Sequence, residues 1–175
     1  AVIDAQCIAR MPRNLTFAEA ASVPLAAQTA MQGLRKGGAR AASRVLIIGA
    51  SGGVGTFAVQ IARAMGCTVT GVCSTRNIEL VRSLGAHEVI DYTSNDFKES
   101  AQAFDLIFDV TSHETPASCA ALLSPNGRFV STGGNARAVV STLLAGGSRA
   151  SVVAVVSHRE DLETLTAWIE SGAVR

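Results

Sequence analysis

The chain has 175 residues, 17% of them charged, and a formal net charge of +1. Its arginines and acids alternate without a basic block, so nothing electrostatic points to nucleic acid or an anionic membrane surface as a partner. A hydrophobic fraction of 48% with only 5% aromatics suffices for one domain with a core of Ala, Val, Leu and Ile.

In chain order, Thr16-Phe-Ala-Glu19 reads as a capping box, and Pro24 to Leu34 as a helix running into Gly37-Gly38. Residues 1–43 form a helical lead-in. Arg44 to Ile48 is a continuous apolar run, as expected of a parallel strand buried on both faces. Phe57, Ile61 and Met65 recur every four residues, which predicts a helix over Val54 to Met65. Thr68 to Cys73 follows as a strand, Asn77 to Leu84 as a helix ended by Gly85, and Glu88 to Asp91 as a short strand. Asp96 to Ala103 reads as a short helix, Asp105 to Asp109 as a strand and Thr115 to Leu123 as a helix. The turn Ser124-Pro-Asn-Gly127 leads to the strand Arg128 to Ser131 and the helix Arg137 to Ala145. A strand over Ser151 to Val156 precedes a last helix that Ser157 to Glu160 would open as a second capping box. Six strands alternating with helices predict an α/β fold. It is a doubly wound parallel six-stranded Rossmann sheet over residues 44–175, in the order 3-2-1-4-5-6 with helices on both faces.

No signal-peptide pattern is present, and no apolar run approaches the ~20 residues that span a bilayer. Cys7, Cys67, Cys73 and Cys119 include no CxxC pair and read as buried or half-buried thiols. The expectation is a soluble protein of a reducing compartment, the cytoplasm. The chain starts at Ala1 and stops at Arg175, just past a helical pattern, which reads as a piece of a longer protein.

Gly49-Ala-Ser-Gly-Gly-Val-Gly55 follows the first strand and opens a helix. A dinucleotide pyrophosphate needs a sharp turn, an approach free of Cβ atoms at Gly52, and close helix packing at Gly55. The helix N-terminus adds unpaired N–H groups and a partial positive charge. Ala50, Ser51, Gly52, Gly53, Val54 and Gly55 are therefore candidate cofactor contacts. The end of the second strand chooses the cofactor, because an acid there bonds a ribose 2′-hydroxyl and repels a 2′-phosphate. Cys73-Ser-Thr-Arg76 carries no acid, whereas Ser74 and Arg76 can bind a phosphate by charge-assisted hydrogen bonds. NADP(H) is the expected cofactor. Val110 and Thr111 after the fourth strand, and Thr132 and Gly133 after the fifth, lie at the strand ends where ligands of open sheets bind.

With the glycine loop, Pro24-Leu-Ala-Ala-Gln-Thr-Ala30, Leu84-Gly-Ala86 and Val89-Ile-Asp-Tyr92 in view, the chain resembles the cofactor-binding domain of a zinc-less medium-chain dehydrogenase/reductase of the quinone oxidoreductase type. The resemblance implies a GroES-like substrate domain before residue 1, with a fragment inactive alone. It also implies hydride transfer from NADPH to a quinone or α,β-unsaturated carbonyl. It places Thr29 toward the nicotinamide and Tyr92 near the adenosine 2′-phosphate. Asn77 stands where the family's lysine version has its cation, one residue after Arg76. The zinc enzymes of the superfamily carry a cysteine ligand at the position of Leu25, which cannot ligate metal, and His87, His113 and His158 lack ligand spacing. No metal is expected within this chain. Relatives dimerise by joining sheets at the last strand, so a homodimer through Ser151 to Val156 is expected.

Three rival readings share this glycine loop. Gly49, Gly53 and Gly55 also fit the short-chain dehydrogenase pattern, but that chemistry needs Tyr-xxx-Lys, and Tyr92 is followed by Asp96. An enoyl-thioester reductase of the same fold, and a non-catalytic NADPH-binding protein, stay open. Asp91, Asp105 and Asp109 stand at strand ends, where capping or exposure is expected, so no catalytic residue is assigned.

Overall fold

A computed structural model describes residues 4–134, 136–144 and 149–175. Six strands, β1 (Arg44–Ile48), β2 (Thr68–Cys73), β3 (Glu88–Asp91), β4 (Phe104–Asp109), β5 (Leu123–Ser131) and β6 (Ala150–Val152), form one parallel sheet in the order β3-β2-β1-β4-β5-β6. The expected strand order is therefore the observed one. The helices are α1 (Phe17–Ala21), α2 (Val23–Lys36), α3 (Gly53–Ala64), α4 (Ile78–Ser83), α5 (Ala136–Leu144) and α6 (Arg159–Glu170).

Strand side chains alternate between two cores. Val45 and Ile47 of β1 join Ala27, Met31 and Leu34 of α2, Ala58 and Ile61 of α3, Val81 of α4 and Leu165 of α6 on one face. Leu46 and Ile48 face the other way, into a smaller cluster of Val72, Phe97, Phe104, Ile107, Cys119, Leu122 and Phe129. α2 lies very close to the sheet: a Cβ on Gly33 would overlap the Phe108 ring, and one on Gly37 the Leu106 side chain. The Thr16–Glu19 capping box is present in both directions and starts α1.

Five expectations change. The helices read over Asp96 to Ala103 and Thr115 to Leu123 shrink to 3-10 turns, Phe97–Glu99 and Ala120–Leu122. Local side chains capture the backbone there: Asp96 accepts from the Lys98 N–H, and Thr115 and Ser118 each accept from the other's N–H. The second face of the sheet is therefore thinly covered, which leaves room for a cleft. The turn at Ser124 to Gly127 sits inside β5 as a bulge, where the register against β4 shifts between Phe104 and Leu106. The strand read over Ser151 to Val156 ends at Val152, because Gln32 of α2 binds both the N–H and the carbonyl of Val156. Its neighbour Gln28 accepts from the His158 N–H, so α6 opens at His158 with no side-chain cap, and the Ser157 capping box does not form. The helix expected to reach Ala145 is described to Leu144; Ala145 lies outside the described residues. Among the described residues, no helix is long and apolar enough to cross a membrane.

Candidate cofactor site

β1 ends in Gly49, whose φ of +85° belongs to the left-handed region that glycine enters freely. The N–H groups of Gly49 and Ala50 both donate to the Val72 carbonyl, at 3.1 and 3.0 Å, which pins the turn across the top of β2. Ala50 is fully buried beneath it. Gly55, the third residue of α3, packs directly on the Gly49 and Ala50 backbone, and Val54 packs against the helical core.

Gly52 and Gly53 are different. A Cβ on Gly52 would meet only the Gly49 oxygen at 3.5 Å, an ordinary contact, and one on Gly53 would meet nothing within 4 Å. The protein's own packing does not require these two glycines. The N–H groups of Gly53, Val54 and Gly55 open α3 and find no acceptor among the described residues. Ser51 is half-buried beside them. This is a donor-rich, Cβ-free surface suited to an anion.

The loop after β2 runs alongside. Arg76 is exposed on the 3-10 turn Thr75–Asn77 and makes no hydrogen bond or ion pair among the described residues. The Asn77 Nδ2 donates to Ser51 Oγ at 3.0 Å and to Ser74 Oγ at 3.2 Å, linking this loop to the glycine turn. Although the residues after β2 include no acid, β3 delivers one: Asp91 Oδ2 accepts from the Thr75 hydroxyl at 2.6 Å. The same carboxylate accepts from the Thr93 hydroxyl and N–H and from the Ser94 hydroxyl. These bonds, Thr75 foremost, hold its pKa down at about 2. Its lone pairs are spent on the turn, so it acts as a clamp.

Beside the loop after β3 opens a cleft of about 690 Å³, walled by Ile48, Val72, Tyr92, Phe97, Thr111 and His113, among others. Tyr92 is exposed at its mouth and Phe97 buried at its wall. Lys98 lies 5.5 Å from the Phe97 ring centroid and 3.0 Å from Glu114, whose carboxylate raises the lysine pKa.

One carboxylate shapes the loop after β4, and one hydroxyl joins it to the loop after β5. Asp109, fully buried, accepts from the N–H groups of Thr111, Ser112 and Glu114 and from the Thr111 hydroxyl. Ser112, buried at φ +57°, bonds through its hydroxyl with Ser131 at 3.2 Å, Thr132 at 3.1 Å and the Gly134 N–H at 2.9 Å. Val110 and Thr132 meet there too, since the Thr132 hydroxyl also donates to the Val110 carbonyl. Gly133 takes φ +76° beside Val152.

The fold thus brings Ala50 to Gly55, Ser74, Arg76, Tyr92, Val110, Thr111, Thr132 and Gly133 to the carboxyl ends of the strands. Thr29 stands apart: it is buried within α2, and its hydroxyl donates to the Leu25 carbonyl at 2.7 Å. Sequence reasoning missed Phe97 and Ser112, and it noted Asn77 only for its place after Arg76, not as a link between two loops. Phe97 carried a signal, as the lone aromatic in a polar run; nothing in the sequence marked the hydroxyl network of Ser112. The aspartates serve as turn caps, with Asp105 accepting from the Arg44 N–H and the Ser124 hydroxyl. Burial pushes the Cys119 thiol up to about 11 and raises those of Cys67 and Cys73, so none of the three offers a thiolate at neutral pH.

Residues 53–171 match the family described as zinc-binding dehydrogenase. The chain belongs to that family. It is 33% identical over 175 residues to the tomato 2-methylene-furan-3-one reductase, covering 99% of this chain and 42% of that protein. It is 31% identical over the same length to a chloroplastic NADPH-dependent alkenal/one oxidoreductase of Arabidopsis thaliana, again covering 99% and 42%. The quinone oxidoreductase of Coxiella burnetii superposes with a TM-score of 0.84 at 27% identity, over 95% of this chain and 53% of that one. The chain therefore spans about half or less of the length of these family members. These relatives are quinone and enone oxidoreductases of the medium-chain dehydrogenase/reductase type expected from the sequence. Zinc in the family's description does not fit the residues present. Exposed Leu25 offers no donor atom, and among the described residues no three His, Cys, Asp or Glu side chains converge.

Proposed function

We propose that this chain is the cofactor-binding part of an NADPH-dependent oxidoreductase that passes hydride to a quinone or α,β-unsaturated carbonyl. The observation that carries the reading is the glycine turn. Gly49 and Gly55 are demanded by packing, whereas Gly52 has room for a Cβ and Gly53 faces open space, beside three N–H groups unpaired among the described residues. The relatives' names, an NADPH-dependent alkenal/one oxidoreductase and a quinone oxidoreductase, support the substrate class.

The N–H groups of Gly53, Val54 and Gly55 would donate to the pyrophosphate. Arg76 would offer its charge to the 2′-phosphate, with Ser74 beside it. Tyr92 and Phe97 would border the adenosine, while Val110, Thr111, Thr132 and Gly133 would frame the route toward the nicotinamide. A bound reduced nicotinamide would supply the hydride. The chain's own contribution is orientation: Asp109 fixes the loop after β4 and Ser112 ties it to the loop after β5, so that little reorganisation accompanies binding. The proposal includes a substrate domain encoded outside this chain, and a homodimer formed along the edge of β6, which among the described residues pairs with β5 alone.

Titration calorimetry of the chain with NADPH and NADH tests the cofactor. Tighter binding of NADPH is expected; equal affinities would overturn the choice, and no binding of either would overturn the whole reading. Assays of the parent protein with quinones, enones and enoyl thioesters test the acceptor. Scattering mass of the chain with NADPH tests the dimer, and a monomer counts against it.

A further inference from the structure

Asn77 occupies the N-cap position of α4, where an asparagine ordinarily accepts from the helix's own first N–H groups. Here its side chain makes no cap bond. Instead the amide turns back and spends its donors on two serines from different loops, Ser51 of the glycine turn and Ser74 after β2. A hydroxyl oxygen that accepts from an amide N–H leaves its own O–H to point elsewhere as a donor. Neither Ser51 nor Ser74 donates its proton to any acceptor among the described residues. Both are half-buried; Ser51 directly precedes Gly52, the N-cap of α3, and Ser74 lies two residues before Arg76, whose guanidinium is unpaired among the described residues.

We propose that Asn77 is a positioning residue that sets the preference for a 2′-phosphorylated dinucleotide by holding Ser51 and Ser74 as paired hydroxyl donors. The inference rests on the dinucleotide reading above. Its logic is one of polarity: a phosphate can only accept, so it binds where hydroxyls are fixed as donors, whereas a ribose hydroxyl can itself donate and tolerates either arrangement. Asn77 carries no charge, so it acts through the serines, leaving Arg76 as the nearby cation.

Asn77→Asp is the sharpest test, since it keeps the shape and reverses the polarity. The carboxylate would accept from both serines, consuming their protons, and would add a negative charge at the phosphate. Calorimetry of the 175-residue chain and its variants should use NADPH, NADH and 2′,5′-ADP, with urea unfolding as the folding check. For Asn77→Asp we expect NADPH and 2′,5′-ADP to weaken about tenfold or more, and NADH to weaken less than about threefold. Asn77→Ala, free of the new charge, should weaken the two phosphorylated ligands by a smaller factor. Ser51→Ala and Ser74→Ala should weaken them further, but by a smaller factor in the Asn77→Ala background than in wild type, because the three side chains are coupled. Equal losses for phosphorylated and unphosphorylated ligands, or no loss, would overturn the role of Asn77 while leaving the dinucleotide site standing. A wild-type chain that binds none of the three ligands would overturn both.

Discussion

The carbonyl oxygen of Gly49 occupies the space that a side chain on Gly55 would need, so the turn and the first coil of α3 are pressed backbone to backbone. Gly53, two residues earlier, faces nothing. The two glycines should therefore respond oppositely to alanine. Gly55→Ala must push α3 off the turn and should lower stability by about 2 kcal/mol or more, measured by urea unfolding. Gly53→Ala should leave stability within about 0.5 kcal/mol. It should still weaken NADPH about tenfold, because its methyl enters the approach a phosphate would use. A Gly53→Ala chain that binds as tightly as wild type would show that the open space has no ligand.

Arg76 gives the second prediction. Its guanidinium is exposed and unpaired among the described residues, so it has no structural task to lose. Arg76→Ala should leave the unfolding midpoint unchanged and reduce NADPH affinity to that of NADH, a loss of about tenfold. The loss should shrink as salt rises, since an exposed charge is screened. A salt-independent change would point to a rearranged loop.

These two regions also show what was legible in the sequence. β1 and β2 lie where their runs predict, because a parallel strand inside the sheet announces itself by a stretch rich in β-branched residues. The glycine turn was legible because its glycines are spaced by function. Segments stabilised by distant partners were not. The strand expected at Ser151 to Val156 is cut short by Gln32, a residue 124 positions from the Val156 whose backbone it binds. The helices expected after β3 and β4 yielded to hydroxyl and carboxylate side chains that compete for the backbone. Asn77 was marked only by its place after Arg76, and its two serine partners come from a turn 26 positions away and from its own loop.

Ser112 gives the third prediction. Its hydroxyl joins β4 to β5 through Ser131, Thr132 and the Gly134 N–H, from a left-handed backbone position that costs a serine energy. Ser112→Ala keeps the strain and removes the bonds, so it should destabilise by about 2 kcal/mol. Ser112→Gly relieves the strain and should be the milder of the two. Urea midpoints rank them: the reverse order would mean that the left-handed backbone costs Ser112 little, and two unchanged midpoints would mean that the hydroxyl network contributes little.

Asp91 gives a prediction in pH. Its folded pKa of about 2 lies below its ordinary 3.8, because the Thr75 and Thr93 hydroxyls bond its ionised form. A group whose pKa falls on folding stabilises the native state above its unfolded value. That contribution is lost as pH drops through the folded value. The urea midpoints of wild type and Asp91→Asn should therefore differ most near neutral pH, converge below about pH 4, and nearly coincide around pH 2. A constant difference across that range would mean the aspartate acts by shape rather than by charge. The clamp also joins Thr75 and Thr93, which flank Arg76 and Tyr92. If it holds that pair in place, Asp91→Asn should weaken NADPH at neutral pH, even though it removes a negative charge beside the proposed phosphate site. Simple electrostatics predicts the opposite sign, so one calorimetric comparison at pH 7 decides whether Asp91 is a repelling charge or the strut of the loop.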